Sequence, residues 1–309
     1  MSVISGELIK QLRESTGAGI LDCKKALAEC NGDMEQATDW LRKKGLATAA
    51  KKASRVAAEG VVGVYTKGTK GVLIEINSET DFVARNEQFQ RFATSLLNLA
   101  YEKEITTIDQ LKGVTYPNTT HNVEEELSRN VATIGENLSL RRLEMLSVSN
   151  GVVGGYVHNA VTSGLGKIGT LVALESMGDQ EKLATLAKSL AMHVAAAKPE
   201  ALTIEDLPQD KVLREKSILL EQVQGSGKPQ EIIDKMIEGR LRKFYQEVVL
   251  LEQTYVIDGE TKITDLMKKT EKELGTPVKL KAFQRFVLGE GIEKVQTDFS
   301  AEVAAQLGK

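Results

Sequence analysis

Two glycine-rich segments contain the residue types that bind phosphate groups in other proteins. Residues 164–169 read GLGKIG, which matches the glycine spacing of dinucleotide-binding proteins. That pattern holds pyrophosphate only where a strand precedes it and a helix N-terminus follows it. Here a β-rich run follows, which favours a hairpin turn. Residues 225–229, GSGKP, lack the distant first glycine and the Ser or Thr after lysine that a P-loop requires. The sequence therefore predicts no nucleotide site and no cofactor.

Histidine and cysteine, the residues most often used in nucleophilic and metal chemistry, are few. His121, His158 and His193 are widely separated, and no motif of an activated Ser or Cys nucleophile lies near them. Cys23 and Cys30 have a spacing that fits no common zinc pattern, and in an intracellular chain we interpret both as reduced core residues. We expect no catalytic residues and no metal site, so an enzyme is the weaker interpretation.

The composition is typical of a globular protein whose partner is another protein. Of 309 residues, 41% are hydrophobic and 27% are charged, and the net charge is −3. This balance does not favour binding to nucleic acid or to an anionic membrane. No run approaches the ~20 apolar residues that span a bilayer, and the first residues do not resemble a signal peptide, so we expect a cytoplasmic protein. The basic residues between 43 and 55 are interpreted as a solvated helix face in preference to a phosphate-binding patch.

The first 45 residues have the pattern of three short helices. Leu8 and Leu12 belong to the first, residues 16–19 interrupt the pattern, and small apolar residues at helical spacing form one face of the second. Asp33 has the spacing of a capping-box residue for a third helix, which we expect to end at Gly45. A module of ~45 residues is near the lower limit for independent stability. Residues 46–59 are expected to form a helical connector.

The middle of the chain contains a degenerate internal repeat. Residues 60–65, GVVGVY, correspond to residues 151–156, GVVGGY, and in each copy a second β-rich run and an amphipathic helix follow. Two strands and a helix, present twice, predict a pseudo-symmetric α+β core. Between the copies, residues 123–137 are helical in pattern, and residues 138–148 alternate as a strand that we expect to join a sheet.

Two further elements follow the repeat. Apolar residues at helical spacing on both sides of residues 225–229 predict an antiparallel helical hairpin within residues 206–246. The chain then has a strand-like run at 278–288, a turn, and a helix from Asp298. Because this last helix has little core of its own, we expect it to dock on this protein or on a partner.

The two copies differ where the second strand leads into the helix. The second copy has a short polar turn at residues 176–179, whereas the first has the longer segment 79–86, ETDFVARN. In one interpretation Asp81 or Asn86 caps the helix and Phe82 folds inward. In the other, Phe82 is an exposed apolar wedge beside a carboxylate, suited to entering a partner. The residues alone leave both open, and the same three letters, TDF, recur at residues 297–299.

Several segments resemble the elongation factor Ts family, in that family's order and over essentially the whole chain. They are residues 12–27 (LRESTGAGILDCKKAL), 80–86 (TDFVARN), 193–199 (HVAAAKP), 226–229 (SGKP) and 289–295 (GEGIEKV).

The resemblance implies a division of the chain into five parts. These are a ubiquitin-associated-like module at 1–55, a first core subdomain at 56–142, a second core subdomain at 143–205 and 246–279, a helical-hairpin dimerisation domain at 206–245 and a short C-terminal module at 280–309. By the same likeness the protein binds elongation factor Tu carrying GDP, expels the GDP and is displaced by GTP. A homodimer or a 2:2 heterotetramer through the hairpin is also implied.

The resemblance also assigns residues to this interaction. A segment near the partner's Mg²⁺ and phosphate-binding elements would comprise Thr80, Asp81, Phe82 and Val83. Contacts of the N-terminal module would be made by Leu12, Arg13, Ile20 and Leu21. His158 is a further candidate contact. The chain departs from the family in an added loop at 116–122 and in a longer turn at 159–167, and the latter puts the contact of His158 in doubt.

Overall fold

The structure, a computed structural model, describes residues 4–224 and 229–293 of the chain. Both helices and strands are present in these ranges, which confirms the expected α+β class. The α-helices are α1 (Gly6–Thr16), α2 (Ile20–Glu29), α3 (Met34–Lys52), α4 (Glu87–Glu102), α5 (Ile108–Gly113), α6 (Val123–Ile134), α7 (Gln180–Ala197), α8 (Gln209–Gln224), α9 (Gln230–Val248) and α10 (Ile263–Leu274). The strands are β1 (Glu59–Lys67), β2 (Lys70–Ser78), β3 (Leu138–Ser147), β4 (Gly151–His158), β5 (Leu165–Gly166), β6 (Ile168–Glu175) and β7 (Lys279–Val287). None of the helices in the described ranges is long and apolar enough to cross a bilayer.

The N-terminal module consists of α1, α2 and α3 around a small core. The side chain of Ser5 caps α1 and that of Asp33 caps α3, each by accepting a hydrogen bond from a backbone N–H of the first turn, at 3.2 and 2.9 Å. The buried core residues are Leu12, Cys23, Ala26, Leu27 and Ala37. Burial raises the pKa of the Cys23 thiol, as expected for a core cysteine.

The expected end of the third helix at Gly45 is wrong, because α3 continues to Lys52. Gly45 is buried where α3 crosses α6, and a Cβ placed there would lie 3.9 Å from that of Ala132. A single glycine costs a helix only about 1 kcal/mol relative to alanine, and the alanine-rich residues that follow favour continuation. The long α3 fastens the module to the core, where Arg42 forms an ion pair with Glu125 of α6.

The two copies of the repeat form two antiparallel sheets, and in each the second strand of the copy, β2 or β6, also pairs with a later strand, β3 or β7. The first sheet has the order β3-β2-β1-β5 and the second has the order β4-β6-β7. Each copy begins with a glycine, Gly60 or Gly151, whose φ is 118° or 120°. A Cβ at either position would lie 2.2 or 2.1 Å from a carbonyl oxygen of the paired strand. The two hairpins therefore start with the same glycine-dependent close approach.

The strand β7 completes the second sheet instead of belonging to a separate C-terminal unit. It is the edge strand of that sheet and pairs with β6 from Lys279, opposite Glu175, to Val287, opposite Ile168. The domain boundary expected at residue 280 therefore falls inside a core strand. The boundary expected at residue 142 likewise falls inside β3, which pairs with β2 in the first sheet. The helix predicted from Asp298 lies outside the described residues.

The two sheets pack face to face, with helices on both outer faces. The contact between the sheets is made by Val62 and Leu73 from the first and Val153, Leu171 and Phe286 from the second. The outer face of the first sheet is covered by α4, α5 and α6. The outer face of the second sheet is covered by α7 and α10. The segment that leads from β2 to α4 consequently lies at one end of this layered core.

A buried carboxylate joins the first sheet to the end of the second. Glu75 on β2 is fully buried. Its oxygens accept hydrogen bonds from Arg141 Nη1, Arg142 Nε and Gly289 N, at 3.0, 2.5 and 2.8 Å. Burial alone would raise the pKa of this carboxyl, but hydrogen bonds from Gly289, Asn77 and Arg142 outweigh it, and the pKa is lowered. Because Gly289 follows β7, the ionised Glu75 ties the two sheets together.

The helices α8 and α9 pack against each other and extend from the second core subdomain. Arg240 Nη1 donates a hydrogen bond to Gln222 Oε1 between them, at 2.5 Å. At their base the buried residues are Ala201, Leu207 and Val249. Further out, apolar side chains lie in solvent: Leu213 is 64% exposed, Ile218 43% and Ile232 46%. The apex, residues 225–228, lies outside the described residues.

Candidate functional site

The segment between β2 and α4, residues 79–86, presents one aromatic side chain to solvent. Phe82 is 77% exposed, whereas the next residue, Val83, is 5% exposed and packs in the core beneath α4. The interpretation in which Phe82 folds inward is therefore wrong: Val83 takes the inward position. Asn86 caps α4, with its side-chain oxygen 3.1 Å from a backbone nitrogen of the first turn. Asp81 is exposed and does not cap this helix.

The exposed ring is attached to a backbone that is hydrogen-bonded on both sides. Before it, Thr80 donates two hydrogen bonds to Glu136: its backbone N lies 2.9 Å from Oε2 and its hydroxyl 2.6 Å from Oε1. After it, Gln90 Nε2 donates to the carbonyl oxygen of Ala84 at 2.8 Å. Val83 and Ala84 are buried. The segment therefore holds Phe82 outward from a fixed base.

Asn137 and Arg55 contact Glu79, the residue before Thr80, and also each other. The backbone N of Asn137 donates to Glu79 Oε1 at 2.6 Å, and the Asn137 side chain donates to the carbonyl oxygen of Arg55 at 2.7 Å. The Arg55 guanidinium lies 3.5 Å from the Glu79 carboxylate. We call Glu79, Thr80, Glu136 and Asn137 the loop clamp. In it two adjacent residues after β2 are hydrogen-bonded to two adjacent residues that precede β3.

The tip of the segment combines an apolar ring with a free carboxylate. No residue in 4–224 or 229–293 pairs with the side chain of Asp81. An exposed aromatic ring can fill an apolar pocket of a partner, where buried aromatic residues contribute most of the binding energy. A carboxylate beside it can repel a phosphate group or attract a cation. The arrangement suits insertion into another molecule.

The N-terminal module presents a second apolar surface. Ile20 and Leu21, in the first turn of α2, are 55% and 81% exposed. Ile20 and the exposed Arg13 line one open groove together with Ile9 of α1. Leu12, expected to contact a partner, is fully buried in the module core. Its assignment as a contact residue is therefore corrected: its side chain stabilises the module and is not available at the surface.

The structure connects this module to the loop clamp through α3. Lys52, the last residue of α3, donates a hydrogen bond from Nζ to the carbonyl oxygen of Gly135. Gly135 ends α6 with φ of 86° and immediately precedes Glu136. Arg55, shortly after α3, contacts both Glu79 and Asn137. The C-terminal end of α3 thus lies beside the segment that presents Phe82.

His158 lies at the end of β4, exposed, opposite Ile168 of β6. Its Nδ1 is 3.2 Å from the Tyr156 hydroxyl. In the turn that follows, Val161 is 37% exposed, and residues 162 and 163 line a groove with the N-terminal half of α4. In the glycine-rich segment 164–169, a two-residue strand, β5, pairs with β1 and is followed by β6, not by a helix. A helix N-terminus for a phosphate is therefore lacking at this position.

The remaining histidines have structural partners. His121 Nε2 lies 2.7 Å from Glu126 Oε2. His193 is fully buried, with Nε2 2.9 Å from Gln253 Oε1. Burial lowers the pKa of His193, and the hydrogen bond to Gln253 offsets part of this effect. Within the described ranges no group of three or more His, Cys, Asp or Glu has the arrangement of a metal site.

Sequence reasoning missed Glu136 and Asn137. Both lie within the helix that the sequence predicts over residues 123–137, whereas α6 ends at Ile134. A Gly at 135 followed by two polar residues indicates a helix end. Nothing in the local sequence relates them to Glu79 and Thr80, from which they are separated by 56 or more residues.

The chain is similar to known proteins of one family along its whole length. A family model described as Elongation factor TS matches residues 79–290. The chain is 56% identical over 311 aligned residues to the elongation factor Ts of Rhodospirillum centenum, with 100% of both chains covered. It is 56% identical to that of Paramagnetospirillum magneticum, covering 100% of this chain and 98% of the relative. It is 50% identical to that of Rhizobium etli, covering 99% of each.

Proposed function

Because the chain belongs to the elongation factor Ts family, we propose that it is a guanine-nucleotide exchange factor. It binds elongation factor Tu carrying GDP and promotes release of the GDP, so that GTP can be loaded during translation elongation. The observation that carries this proposal is the identity of 56% to a protein named elongation factor Ts across the full length of both chains. The exchange factor changes a binding equilibrium in its partner, which requires no catalytic residue of its own.

The mechanism we propose is insertion of the segment that carries Asp81 and Phe82 into the GTPase. Phe82 enters an apolar site next to the elements that bind Mg²⁺ and phosphate, and Asp81 brings negative charge close to them. Support comes from the 77% exposure of Phe82 on a segment hydrogen-bonded at both ends. Thr80 and Val83 act differently from the tip residues, since Thr80 is bound to Glu136 and Val83 is buried. These two position the tip.

Linkage explains how binding alone can release a nucleotide. A factor that binds the empty GTPase more tightly than the GDP-bound form must weaken GDP binding by the same ratio. Every ~1.4 kcal/mol of this coupling changes the affinity tenfold. A rigid apolar tip supplies the coupling efficiently, because little ordering entropy is lost when a fixed segment enters a pocket.

The N-terminal module supplies affinity in this proposal. Arg13, Ile20 and Leu21 form its contact with the nucleotide-binding domain of the partner. Two exposed branched apolar side chains next to an arginine have the composition of an interface centre. His158 is a weaker candidate contact, because its imidazole already lies beside Tyr156 and the longer turn follows it.

We also propose that the helical hairpin formed by α8 and α9 carries self-association, giving a homodimer or a 2:2 complex with the partner. Leu213, Ile218 and Ile232 leave apolar surface exposed on both helices. Two helices can bury only one seam between them, so a second copy would cover the remaining faces.

The direct test of the exchange function is release of labelled GDP from elongation factor Tu with and without this protein. We expect a faster, saturable release, in a reaction where the protein itself binds neither GDP nor GTP at micromolar concentrations by calorimetry. Release at the spontaneous rate with stoichiometric protein would contradict the proposal. Micromolar nucleotide binding to the isolated protein would point to a different mechanism.

A further inference from the structure

We propose that Glu136 is a positioning residue for nucleotide exchange: its carboxylate holds Thr80 so that the Phe82 ring stands in the geometry that enters the partner. Both oxygens of Glu136 are used, one by the backbone N of Thr80 and one by its hydroxyl. This inference rests on the exchange function proposed above and concerns how the tip is prepared for it.

The loop clamp lies where the chain is outside regular secondary structure. β2 ends at Ser78 and the short 3₁₀ turn begins at Val83, so residues 79–82 belong to neither element. Within this stretch the backbone N of Thr80 donates to Glu136, and the carbonyl oxygen of Thr80 accepts from the Ser78 hydroxyl at 2.8 Å. The Glu79 side chain accepts from the backbone N of Asn137. Without them these residues would regain conformational freedom, and binding would have to order them again.

A carboxylate suits the position better than any other side chain. The two donors of Thr80 need two acceptor oxygens at one site, and an ionised carboxylate offers only acceptors. A glutamine could accept from the backbone N of Thr80 and donate to its hydroxyl, but both hydrogen bonds would then be neutral. Hydrogen bonds to an ionised acceptor are also about twice as strong as neutral ones.

The position of Glu136 is itself fixed by the core. α6, which precedes it, buries Val123 and Val131 against the first sheet. The left-handed Gly135 turns the chain at the end of α6, and its carbonyl oxygen accepts a hydrogen bond from Lys52. On the other side Asn137 is 8% exposed and precedes β3. Glu136 is therefore a rigid support for a segment that carries an exposed tip.

A positioning role and a purely structural role can be told apart, because they change different measured quantities. If Glu136 prepares the tip, its loss lowers the maximal rate of GDP release and leaves the concentration of half-saturation nearly unchanged, because the N-terminal module still binds. If it only stabilises the fold, loss of folded protein lowers the active fraction, which a melting curve reveals.

The experiment measures release of labelled GDP from elongation factor Tu over a range of concentrations of each variant. Glu136→Ala is expected to lower the maximal rate by at least about tenfold, because it removes both charge-assisted hydrogen bonds to Thr80. Glu136→Gln, which replaces the carboxylate by a neutral amide, and Thr80→Val, which removes the hydroxyl bond, should give intermediate rates. Thr80→Ser keeps both donors and should release GDP at the parent rate. Glu124→Ala is the matched control, because Glu124 is an exposed glutamate on α6, the helix that precedes Glu136.

A double-mutant cycle tests whether Glu136 acts through Phe82. The variant carrying both Glu136→Ala and Phe82→Ala should release GDP no more slowly than Phe82→Ala alone, since only an intact ring can be positioned. Additive losses, or a Glu136→Ala variant at the parent rate, would overturn the inference while leaving the exchange function intact. If Glu136→Ala does not fold, Thr80→Val replaces it in the same cycle. Failure of the parent protein to accelerate release would instead remove the exchange function, and this inference with it.

Discussion

Phe82 and Met177 lie in the turns that join the second strand to the helix in the two copies of the repeat, and they are 77% and 76% exposed. Met177 lies in a turn of four residues, 176–179, in which the Ser176 hydroxyl accepts a hydrogen bond from Gly178 N at 3.1 Å. Phe82 lies in a longer segment held by Glu136. Because the fold accommodates either side chain in solvent, an exposed aromatic ring at 82 is not required for folding.

The exposure of Phe82 predicts that Phe82→Ala leaves stability almost unchanged. A surface substitution stays within about 0.5 kcal/mol, so the melting temperature should match that of the parent. Phe89 is the matched comparison, because it is fully buried on α4 and its truncation should cost about 3–5 kcal/mol. Thermal unfolding of the three proteins followed by circular dichroism gives the answer. A large loss of stability in Phe82→Ala would mean that the ring is part of the core.

Leu12 is fully buried and Leu21 is 81% exposed. We therefore expect truncation of Leu12 to lower stability and truncation of Leu21 to weaken partner binding. Leu21→Ala should raise the concentration of half-saturation for elongation factor Tu by about tenfold, as loss of an interface anchor does, with the maximal rate of GDP release kept. Leu12→Ala should destabilise the module by about 2–5 kcal/mol. Leu46→Ala on α3, 44% exposed, serves as the surface control. Unchanged half-saturation in Leu21→Ala would exclude this surface from the interface.

Much of the fold could be predicted from residue patterns, because local chemistry determines it. The glycines that begin each copy, the cap at Asp33 and the alternation in β3 all indicated the correct elements. Where local signals compete, the tertiary structure decided: α3 continues through Gly45, since packing on α6 outweighs the small cost of one glycine. The family resemblance implies a separate module at 280–309, whereas β7 pairs with β6, a strand that is distant in sequence.

The candidate site was predictable only in part. The segment 79–86 could be identified because it is longer than its counterpart, but its residue types fit both a buried and an exposed phenylalanine. Which residue turns inward depends on the 3₁₀ turn that begins at Val83, and this turn buries Val83 and Ala84 in the core. Glu136 could not be found at all, because its contact with Thr80 joins two loops that are adjacent only in the folded chain.

Buried His193 predicts a loss of stability in mild acid. Its Nδ1 accepts a hydrogen bond from Val256 N at 3.2 Å and its Nε2 lies 2.9 Å from Gln253 Oε1, an arrangement that suits the neutral ring. Burial lowers its pKa below the ordinary 6.5, so below that pH the unfolded chain takes up a proton that the folded chain does not. Stability should therefore fall as pH drops from about 6.5, by up to about 1.4 kcal/mol for each unit of pKa lowering.

Urea unfolding at pH 7.5 and at pH 5.5 measures this dependence. His193→Gln cannot titrate, so whatever its stability at neutral pH, it should lose less between the two values than the parent does. An equal loss in both proteins would assign the acid sensitivity to other groups.

The exposed apolar residues of the hairpin predict that self-association resides there. Replacing residues 210–244 by a short flexible linker should leave a folded core, because Val249 and Leu207 at the base lie outside the deletion, and should weaken dimerisation. Leu213→Lys, at a position 64% exposed, should weaken it without changing the melting temperature. Sedimentation velocity over a dilution series reports the mass. The same concentration-dependent mass in all three proteins would place the dimer contact elsewhere.

The central claim, that the exposed ring of Phe82 drives nucleotide release, is tested most directly by comparing Phe82→Ala with Met177→Ala. The two variants remove equally exposed side chains from corresponding turns. In release of labelled GDP from elongation factor Tu, Phe82→Ala should lower the maximal rate by at least about tenfold, equivalent to ~1.4 kcal/mol, while still binding the partner. Met177→Ala should match the parent. A Phe82→Ala protein that is folded and releases GDP at the parent rate would contradict the account.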